Sequence, residues 1–588
     1  MPKVVLFDFS EQPSLGLASL QHSLQEKGIS CLIVNLYAKE EFDFKARVES
    51  ALKAIMKNRE AIKEAKYLGM PFFRQDFEIR ARMPIAKGLK ARFPEKILIG
   101  GGVGLISNPR GFFRKGMLDY ALIGEAEKTL PQLIIALEER RSAQEIEKIP
   151  GIIMKKGSRI FVSKTSGRLS QTELEKMPLL SSLLGKRAIV FTERGCPFKC
   201  IFCSCPNVGS VRYMSEDRII QGLKELAQNK KITLVQFQND QFLANRQRAL
   251  SLVRRLSSEG LNKRFKFGMM TSVDLFYRKG VIDAELIQAL KKARFGEIAL
   301  GVEAFNDNIL KEIKHGRYTA IQASRLIKEL SRNGFHTDLL TIAASIKTKP
   351  SEFAQSIYTM AALSARRRAS VVSPGMIHAT PDMPVFKTAA REGVLYGLNG
   401  KKANESTARK NLKNYYALPK DERLRELFIR ILKKKRIDGF ITSGKDLADL
   451  RKFVEENAPE YSEKFKRLEG LMRANALDRK VKDVVLKASV RGLMREKTGA
   501  EKSGSKDVEK FYGSLPLGKR KALIRGAVDF VEDYRKVQGR IARIDGRSEK
   551  LSQGQGLKRL RMIQKARSKF GISPISGFNA IWRRRLPK

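Results

Sequence analysis

The run Arg194-Gly-Cys-Pro-Phe-Lys-Cys-Ile-Phe-Cys203 places three cysteines on one short segment. Their spacing is Cys-x3-Cys-x2-Cys, and four of the chain's five cysteines lie between residues 196 and 205. Cysteine thiolates at such short spacings are the usual ligands of iron–sulfur clusters. Three thiolates bind three irons of a four-iron cluster and leave the fourth iron open to a small molecule. We therefore expect Cys196, Cys200 and Cys203 to bind a 4Fe–4S cluster.

Two other uses of clustered cysteines fit the sequence less well. A structural zinc site usually has four ligands in two pairs, but this segment has no histidine nearby and no second cysteine pair exists. A disulfide framework is typical of small secreted proteins, whereas this chain has 588 residues and no secretory signal pattern. Cys205 exceeds the motif, and we interpret it as a bystander. Cys31 lies in an apolar segment and is expected in a buried strand.

The composition is that of a large and strongly basic protein. Lys and Arg number 114 against 62 Asp and Glu, a net charge of +52, and 42% of the residues are hydrophobic. No apolar run reaches the roughly 20 residues of a membrane span, so we expect a cytoplasmic protein. The basic excess favours an acidic electron donor such as flavodoxin or ferredoxin. Residues 401–588 carry 50 basic and 23 acidic side chains, which leaves open a contact with nucleic acid there.

Strand and helix signals alternate over residues 1–150. The strand signals are short apolar segments at residues 3–8, 30–36, 67–73, 96–102 and 119–124. Helical segments between them predict a doubly wound parallel sheet. Gly100 to Gly102 and Gly124 fall at the carboxyl ends of strands, where such sheets bind ligands. Tight turns would need the same glycines.

A second alternating region follows a linker with a hairpin at residues 151–185. Between residues 186 and 400 the predicted strands are 188–192, 233–238, 266–271, 297–302, 337–343 and 369–374. Helical segments separate them, which predicts a partial (β/α) TIM-like barrel with its chemistry at the carboxyl ends of the strands. The cysteine segment follows the first of these strands. Residues 401–588 show no strand signal and are expected to be mostly helical and basic.

In this combination the chain resembles the radical S-adenosylmethionine (SAM) superfamily, and specifically its branch with a cobalamin-binding domain. The resemblance covers roughly residues 1–395. Besides the cysteines, it is carried by Val211–Glu216, Gln238–Leu250, Leu300–Glu303, Pro381–Phe386, Pro13–Gly16 and Gly124-Glu125. The order and spacing of these segments are more specific than any one of them.

The resemblance implies a fold, cofactors and site residues. It implies a Rossmann-like cobalamin domain at 1–150 and a radical SAM core at 186–400, in which SAM binds the open iron. Phe202 would then pack near the SAM adenine, and Asp240 and Glu303, at consecutive strand ends, would contact its polar groups. Loop packing, helix caps or ion pairs are the structural alternatives for these three side chains. The cobalamin would be bound by Ser14, Leu15, Gly16, Gly100, Gly101, Gly102, Gly124 and Glu125.

The resemblance also implies a reaction. One electron from the cluster cleaves SAM to a 5′-deoxyadenosyl radical, and the leading outcome is cobalamin-dependent methyl transfer to an unactivated carbon of an unknown organic substrate. Ring formation or rearrangement is the alternative within this class. Methylthiotransferases carry three further cysteines in the N-terminal domain, where this chain has only Cys31. An RNA-binding protein and a degenerate, non-catalytic paralogue are the alternatives outside the class.

Four departures from the family pattern bear on these expectations. No Asp-x-His-x-x-Gly motif supplies a histidine to cobalt, and the radical branch commonly lacks one. Asn239 replaces the first acid of an acidic pair, and Ser272 stands where an Arg often follows the third strand. The turn Ser345–Glu352 lacks the glycines that the family usually has. No residue is assigned as catalytic.

Overall fold

The computed structural model describes residues 2–467, apart from residues 10–13, 38–43, 73–75, 103, 106–112, 114–115, 165–166, 204–210, 366–368, 372–374, 411–414 and 434–443. Cys205 and the basic region beyond residue 467 therefore lie outside the described residues. The described residues belong to one compact unit, Met1–Leu468.

The first sheet has seven strands, in the order β2-β1-β3-β4-β5-β6-β7. These strands are β1 Val4–Asp8, β2 Cys31–Asn35, β3 Tyr67–Pro71, β4 Ile97–Gly101, β5 Tyr120–Leu122, β6 Ile152–Lys156 and β7 Arg159–Val162. The first five are parallel, and the β6–β7 hairpin adds to the β5 edge in antiparallel pairing. The order 2-1-3-4-5 is one of the two common doubly wound orders, with its switch point between β1 and β3. The five strands predicted from the sequence, and the hairpin after them, are confirmed.

Alternate residues of β1 show that this sheet is covered on both faces. Val5 and Phe7 belong to one buried apolar cluster, and Val4 and Leu6 belong to another. Successive strand side chains point to opposite faces, so both faces are buried. The covering helices are α1 Leu15–Gln25, α2 Phe44–Lys57, α3 Arg59–Glu64, α4 Asp76–Arg92, α5 Ala126–Glu138 and α6 Ala143–Glu147.

The second large sheet also has seven strands, in the order β18-β17-β16-β13-β12-β9-β8. Its strands are β8 Leu180–Leu184, β9 Arg187–Val190, β12 Leu234–Phe237, β13 Lys266–Ser272, β16 Phe295–Glu303, β17 His336–Thr341 and β18 Ser370–Val371. Six of them are parallel, and β8 pairs with β9 in antiparallel fashion. Strand order follows chain order, as in the predicted partial barrel, and all six predicted strands are present.

One short helix precedes this second sheet along the chain, and seven more of the described α-helices lie between its first and last strands. They are α7 Gln171–Glu175, α8 Glu216–Ala227, α9 Arg246–Ser258, α10 Leu261–Arg264, α11 Ala284–Lys292, α12 Asp307–Lys314, α13 Ala320–Arg332 and α14 Pro350–Ala365. Two short ladders lie beside the sheet, and their strands are β10 Glu193–Arg194, β11 Arg212–Tyr213, β14 Tyr277–Arg278 and β15 Val281–Ile282. A 3-10 helix, Val273–Phe276, follows β13. One buried apolar cluster joins sheet and helices.

The last described elements form a small sheet and four helices. The strands are β19 Ile377–His378, β20 Leu395–Gly397 and β21 Tyr415–Ala417, and the helices are α15 Pro384–Arg391, α16 Glu405–Lys410, α17 Glu422–Lys433 and α18 Gly444–Asn457. A 3-10 turn, Pro459–Tyr461, follows them. The prediction that no strand follows residue 401 is wrong at β21, because two strands of the preceding region pair with it. Among the described helices, none is both long enough and apolar enough to cross a membrane.

Candidate functional site

The cysteine loop begins where β9 ends, at the carboxyl edge of the second sheet. A buried pair of side chains fixes this position: the Thr192 N–H donates to Asn239 Oδ1 at 3.0 Å, and Asn239 Nδ2 donates to Thr192 Oγ1 at 2.7 Å. Both residues are fully buried. Asn239, which departs from the family's acidic pair, therefore joins the end of β12 to the start of the loop. A carboxylate could accept the N–H bond but could not donate to the threonine hydroxyl.

Backbone hydrogen bonds hold the rest of the loop. Gly195, immediately before the first cysteine, has a φ of 105°, which is a conformation that favours glycine. The Cys203 N–H donates to the Cys200 carbonyl at 3.1 Å. The Ile201 N–H donates to the carbonyl of Ile313, in α12, at 3.3 Å. The loop is thus attached to the helix that follows β16.

The three thiols share one partly buried environment. The pKa of Cys196 is raised to about 11, mainly by burial and to a smaller extent by Asp240, Cys203 and Cys200, while a hydrogen bond from the Phe198 backbone opposes the shift. Burial also raises the pKa of Cys200, although the nearby Lys314 and Arg317 oppose that effect. The thiols must therefore lose protons when they bind metal. Within the described residues, no three His, Cys, Asp or Glu side chains converge on one point. A four-iron cluster binds each thiolate at a separate iron, so this donor set fits it.

The structure brings two of the three predicted SAM-contacting residues to the same edge of the sheet. Asp240 follows β12 and is exposed, and Glu303 is the buried last residue of β16. These strand ends are not consecutive, because β13 lies between β12 and β16. Phe202 is half-buried and packs against the central apolar cluster. This contact agrees with the alternative that Phe202 only packs the loop. A contact between Phe202 and the SAM adenine stays a prediction.

Glu303 is held in a strained backbone conformation. Its φ is 59°, in the left-handed region that non-glycine residues rarely adopt. The ammonium of Lys314 lies 3.0 Å from Glu303 Oε1 and also donates to the Gly301 carbonyl at 2.9 Å and to Ser272 Oγ at 3.3 Å. Such strain persists where the surroundings impose it, and it is concentrated at functional sites. In the family pattern an arginine often stands at the position of Ser272. Here the positive charge beside Ser272 is that of Lys314, which lies in α12.

The turn after β17 is ordered without glycine. The Ser345 N–H donates to Thr348 Oγ1 at 2.8 Å, and the Ser345 hydroxyl donates to Glu312 Oε2 at 2.5 Å. The Lys349 N–H, just before α14, donates to Glu352 Oε2 at 2.9 Å. Side chains of the turn itself therefore accept the hydrogen bonds of its backbone N–H groups. This departure from the family pattern is therefore a differently built turn.

The sequence reasoning missed a buried carboxylate beside the loop. Glu193 is buried, and neither of its carboxylate oxygens has a hydrogen-bond partner among the described residues. Its nearest counter-charge is Arg248 Nη1, at 3.5 Å. Burial raises the pKa of Glu193 to about 8, Arg248 opposes this, and Asp240 adds to it. The sequence signal was a carboxylate one residue before Arg194 at the end of an apolar strand.

The glycines at the carboxyl edge of the first sheet divide into two groups. A β-carbon on Gly102 would lie 2.7 Å from the Phe72 carbonyl oxygen, and one on Gly100 would lie 2.6 Å from Leu118 Cδ1. These two glycines are required by packing, and Gly102 also has a φ of 93°. A β-carbon on Gly101 or on Gly16 would meet no atom of the described residues within 4 Å. Those two positions leave the backbone open to a ligand, as a cobalamin site requires.

The remaining predicted cobalamin residues are placed differently. The Ser14 N–H donates to Asp8 Oδ2 at 2.6 Å, which ties the start of α1 to the end of β1. Leu15 is the first residue of α1, and Gly124 has a φ of 89°. Glu125 is buried and accepts from Arg212 Nη2 at 2.6 Å and Nη1 at 2.8 Å. Its carboxylate joins the first sheet to the ladder that flanks the cysteine loop.

Comparison with known proteins adds to this geometry. Residues 190–345 match the radical SAM superfamily. An uncharacterized methyltransferase of Pyrococcus horikoshii is 26% identical over 229 residues, which are 37% of this chain and 47% of the relative. The hopanoid C-3 methylase of Methylococcus capsulatus is 24% identical over 309 residues, 51% of this chain and 55% of the relative. The chain thus spans about half the length of these curated relatives.

A solved structure extends the similarity to both sheets. It is the radical S-adenosylmethionine methyltransferase TsrM from Kitasatospora setae, solved with cobalamin and a [4Fe–4S] cluster bound. The match has a TM-score of 0.58 at 14% identity and covers 80% of this chain and 99% of TsrM. The match shows a shared fold. Residues 190–345 therefore match the radical SAM superfamily, and the chain shares its fold with TsrM, a radical SAM methyltransferase solved with cobalamin bound.

Proposed function

We propose that this chain is a radical SAM methyltransferase that binds a 4Fe–4S cluster, SAM and cobalamin, and that it transfers a methyl group to an unactivated carbon of an organic substrate. Cys196, Cys200 and Cys203 would hold the cluster. When bound, the cluster supplies one electron to the sulfonium of SAM, and cobalamin carries the methyl group. Methyl transfer is favoured over ring formation because the two curated relatives described above and the solved structure are methyltransferases, although two cyclases are also among the relatives.

One observation carries this proposal. Three thiols lie on a loop at the carboxyl end of the first parallel strand, beside the exposed Asp240 and the strained, buried Glu303 at the same sheet edge. A parallel α/β sheet places its chemistry at this edge. A structural metal loop would not require a strained carboxylate three strands away.

The residues around the loop would orient SAM and exclude water from it. The ammonium of Lys314 pairs with Oε1 of Glu303 and fixes the orientation of the carboxylate. The second oxygen, Oε2, would then accept a hydrogen bond from a hydroxyl of the ligand. The Thr192–Asn239 pair fixes the spacing between the cysteine loop and the loop that bears Asp240. A few tenths of an ångström matter here, because catalytic rate depends steeply on the position of the reacting atoms.

The cobalamin would lie along the first sheet, at the edge where Gly16 and Gly101 leave backbone uncovered. This is also the edge at which doubly wound sheets bind nucleotides and related cofactors. The described part of the chain offers backbone N–H and carbonyl groups there. Ser14 and Gly124 complete the proposed contacts.

The partners follow from the same proposal. The cluster needs a reductant, and a net charge of +52 favours an acidic one such as flavodoxin or ferredoxin. Reduced thiols and an electron donor of this kind are typical of the cytoplasm, so we expect the protein there. Nucleic-acid binding by residues 401–588 stays a prediction, because most of that region lies outside the described residues.

The experiment compares the wild type with Cys200→Ala and Cys31→Ala. The proteins are reconstituted anaerobically with iron and sulfide, given SAM and dithionite, and assayed for 5′-deoxyadenosine by mass spectrometry. Cys31 is the matched control because it lies in β2, outside the loop. We expect 5′-deoxyadenosine from the wild type and Cys31→Ala, and at least a 100-fold loss in Cys200→Ala.

Two results would contradict the proposal. A wild type that binds no iron after reconstitution would show that the three cysteines hold no cluster. Equal 5′-deoxyadenosine from wild type and Cys200→Ala would show that the loop does not support the chemistry. Retention of a corrinoid on gel filtration, read from its absorption, tests the cobalamin part separately.

A further inference from the structure

A partly buried cation lies against the cysteine loop, and no motif of the sequence points to it. Arg317 follows α12 and reaches back to the loop, where its Nη2 lies 3.7 Å from Cys200 Sγ. Its guanidinium carbon lies 3.3 Å from the centre of the Phe198 ring, between the first two cysteines. One side chain thus contacts both a proposed cluster ligand and the loop segment that precedes it.

Arg317 is not neutralised by its surroundings in the usual way. Its nearest carboxylate is Asp274, with Oδ2 at 3.6 Å from Nη1. Within the described residues, Nε and Nη1 are buried and have no hydrogen-bond acceptor. A buried N–H without an acceptor costs about 1 to 3 kcal/mol. Such donors persist where a bound group supplies the missing acceptors.

Lys314 provides a contrast on the same segment. Its ammonium is also buried, but Glu303, the Gly301 carbonyl and Ser272 already occupy it. Lys314 is therefore committed to the protein, whereas Arg317 keeps donors directed toward the loop.

We propose that Arg317 is a positioning residue that donates an N–H···S hydrogen bond to Cys200 and raises the reduction potential of the bound cluster. Hydrogen bonds to cluster sulfurs and nearby positive charge are known to set such potentials. Removal of the guanidinium makes the one-electron reduction of the cluster by an external reductant harder. The inference rests on the proposed function, because it needs a cluster on this loop.

The test measures the potential of the reconstituted cluster in wild type, Arg317→Met, Arg317→Lys and Arg332→Met. Arg332 is the matched control because it lies at the exposed end of α13 with its side chain 76% accessible. Iron content is measured first, and the potential is then obtained by anaerobic titration followed by electron paramagnetic resonance. We expect a more negative potential in Arg317→Met, a smaller shift in Arg317→Lys, and none in Arg332→Met.

A second measurement separates potential from SAM binding. With dithionite as reductant, 5′-deoxyadenosine formation by Arg317→Met should fall at least 10-fold, and europium(II)–DTPA, a stronger reductant, should restore it to within twofold of wild type. The affinity for SAM, measured by equilibrium binding, should change less than threefold.

Each outcome decides the inference. An unshifted potential in Arg317→Met with a full complement of iron overturns it, as does a loss of activity that the stronger reductant does not restore. If Arg317→Met binds no iron, the potential of Arg317→Lys decides, and a wild-type value there overturns the proposal. A wild type without any cluster would refute the proposed function itself, which is a distinguishable result.

Discussion

The carboxyl edges of the two large sheets are built in different ways. At the second sheet, buried side-chain pairs such as Thr192–Asn239 and Glu303–Lys314 fix each strand end. At the first sheet, the open positions are the glycines Gly16 and Gly101, which present backbone alone. A site made of reactive side chains needs their geometry enforced, whereas a site for a large cofactor needs space beside the main chain. The two edges should therefore respond differently to substitution.

The largest expected effect separates the two sites completely. Cys203→Ala removes one of three thiolates, so the protein should lose cluster iron and at least 100-fold of its 5′-deoxyadenosine formation, because three ligands are needed to hold the cluster. Corrinoid retention on gel filtration should remain within twofold of wild type, because the first sheet does not contain this loop. Iron analysis and absorption spectroscopy measure both. Loss of corrinoid together with iron would show that the two edges form a single site.

The second prediction concerns the connection between the two edges. Glu125→Ala leaves the guanidinium of Arg212 buried without its bidentate partner, and we expect a loss of about 3 to 5 kcal/mol in the free energy of unfolding. Burial by itself raises the pKa of Glu125, but hydrogen bonds from Arg212 and the Leu169 N–H, and the charge of Arg194, lower it overall. Urea denaturation measures the effect.

The double variant Glu125→Leu/Arg212→Met is the control for this pair. Replacement of both charges by apolar groups removes the unpaired ion, so the double variant should be more stable than Glu125→Ala. If the double variant is no more stable, the loss comes from packing and the ion pair does not link the two regions.

The sequence predicted the edge built from side chains better than the edge built from glycines. Cysteine has few roles at Cys-x3-Cys-x2-Cys spacing, so the loop and its place after β9 were predictable. Glycine has several structural and binding roles. The sequence therefore could not distinguish Gly101, which faces open space, from Gly102, which packs on Phe72. Lys314 and Arg317 were missed because their partners are distant in sequence. One signal was available: Lys314 lies four residues after Leu310, on the buried face of α12.

The third prediction tests the division between those two glycines. Gly102→Ala should destabilise the protein by about 2 to 4 kcal/mol, because a β-carbon meets the Phe72 carbonyl and the φ of 93° is strained for alanine. Gly101→Val should cost less than about 1 kcal/mol yet lower corrinoid retention at least 10-fold. Thermal unfolding and gel filtration measure the two effects. Unchanged corrinoid binding in Gly101→Val would remove this glycine from the proposed cobalamin site.

The smallest predicted effect depends on pH and belongs to the second edge. In the folded protein burial raises the pKa of Glu193 to about 8, from an ordinary value of 4.5, with Arg248 opposing and Asp240 reinforcing the shift. The folded state therefore keeps a proton between these values that the unfolded chain has released. Its contribution to stability is fully present at low pH and is lost as the pH rises toward 8.

The comparison of wild type with Glu193→Gln isolates that contribution in protein without a cluster. The glutamine variant cannot ionise, so the free energy of unfolding of the wild type should fall by about 2 kcal/mol relative to it between pH 6 and pH 8, at up to about 1.4 kcal/mol for each pH unit. Glu225→Gln, an exposed carboxylate in α8, is the control and should show no such difference. A constant difference between wild type and Glu193→Gln over this range would mean that Glu193 is ionised in the folded state, and that Arg248 compensates its burial fully. The second edge would then hold a buried ion pair in place of a protonated acid, and the contrast with the open glycine positions of the first edge would be stronger.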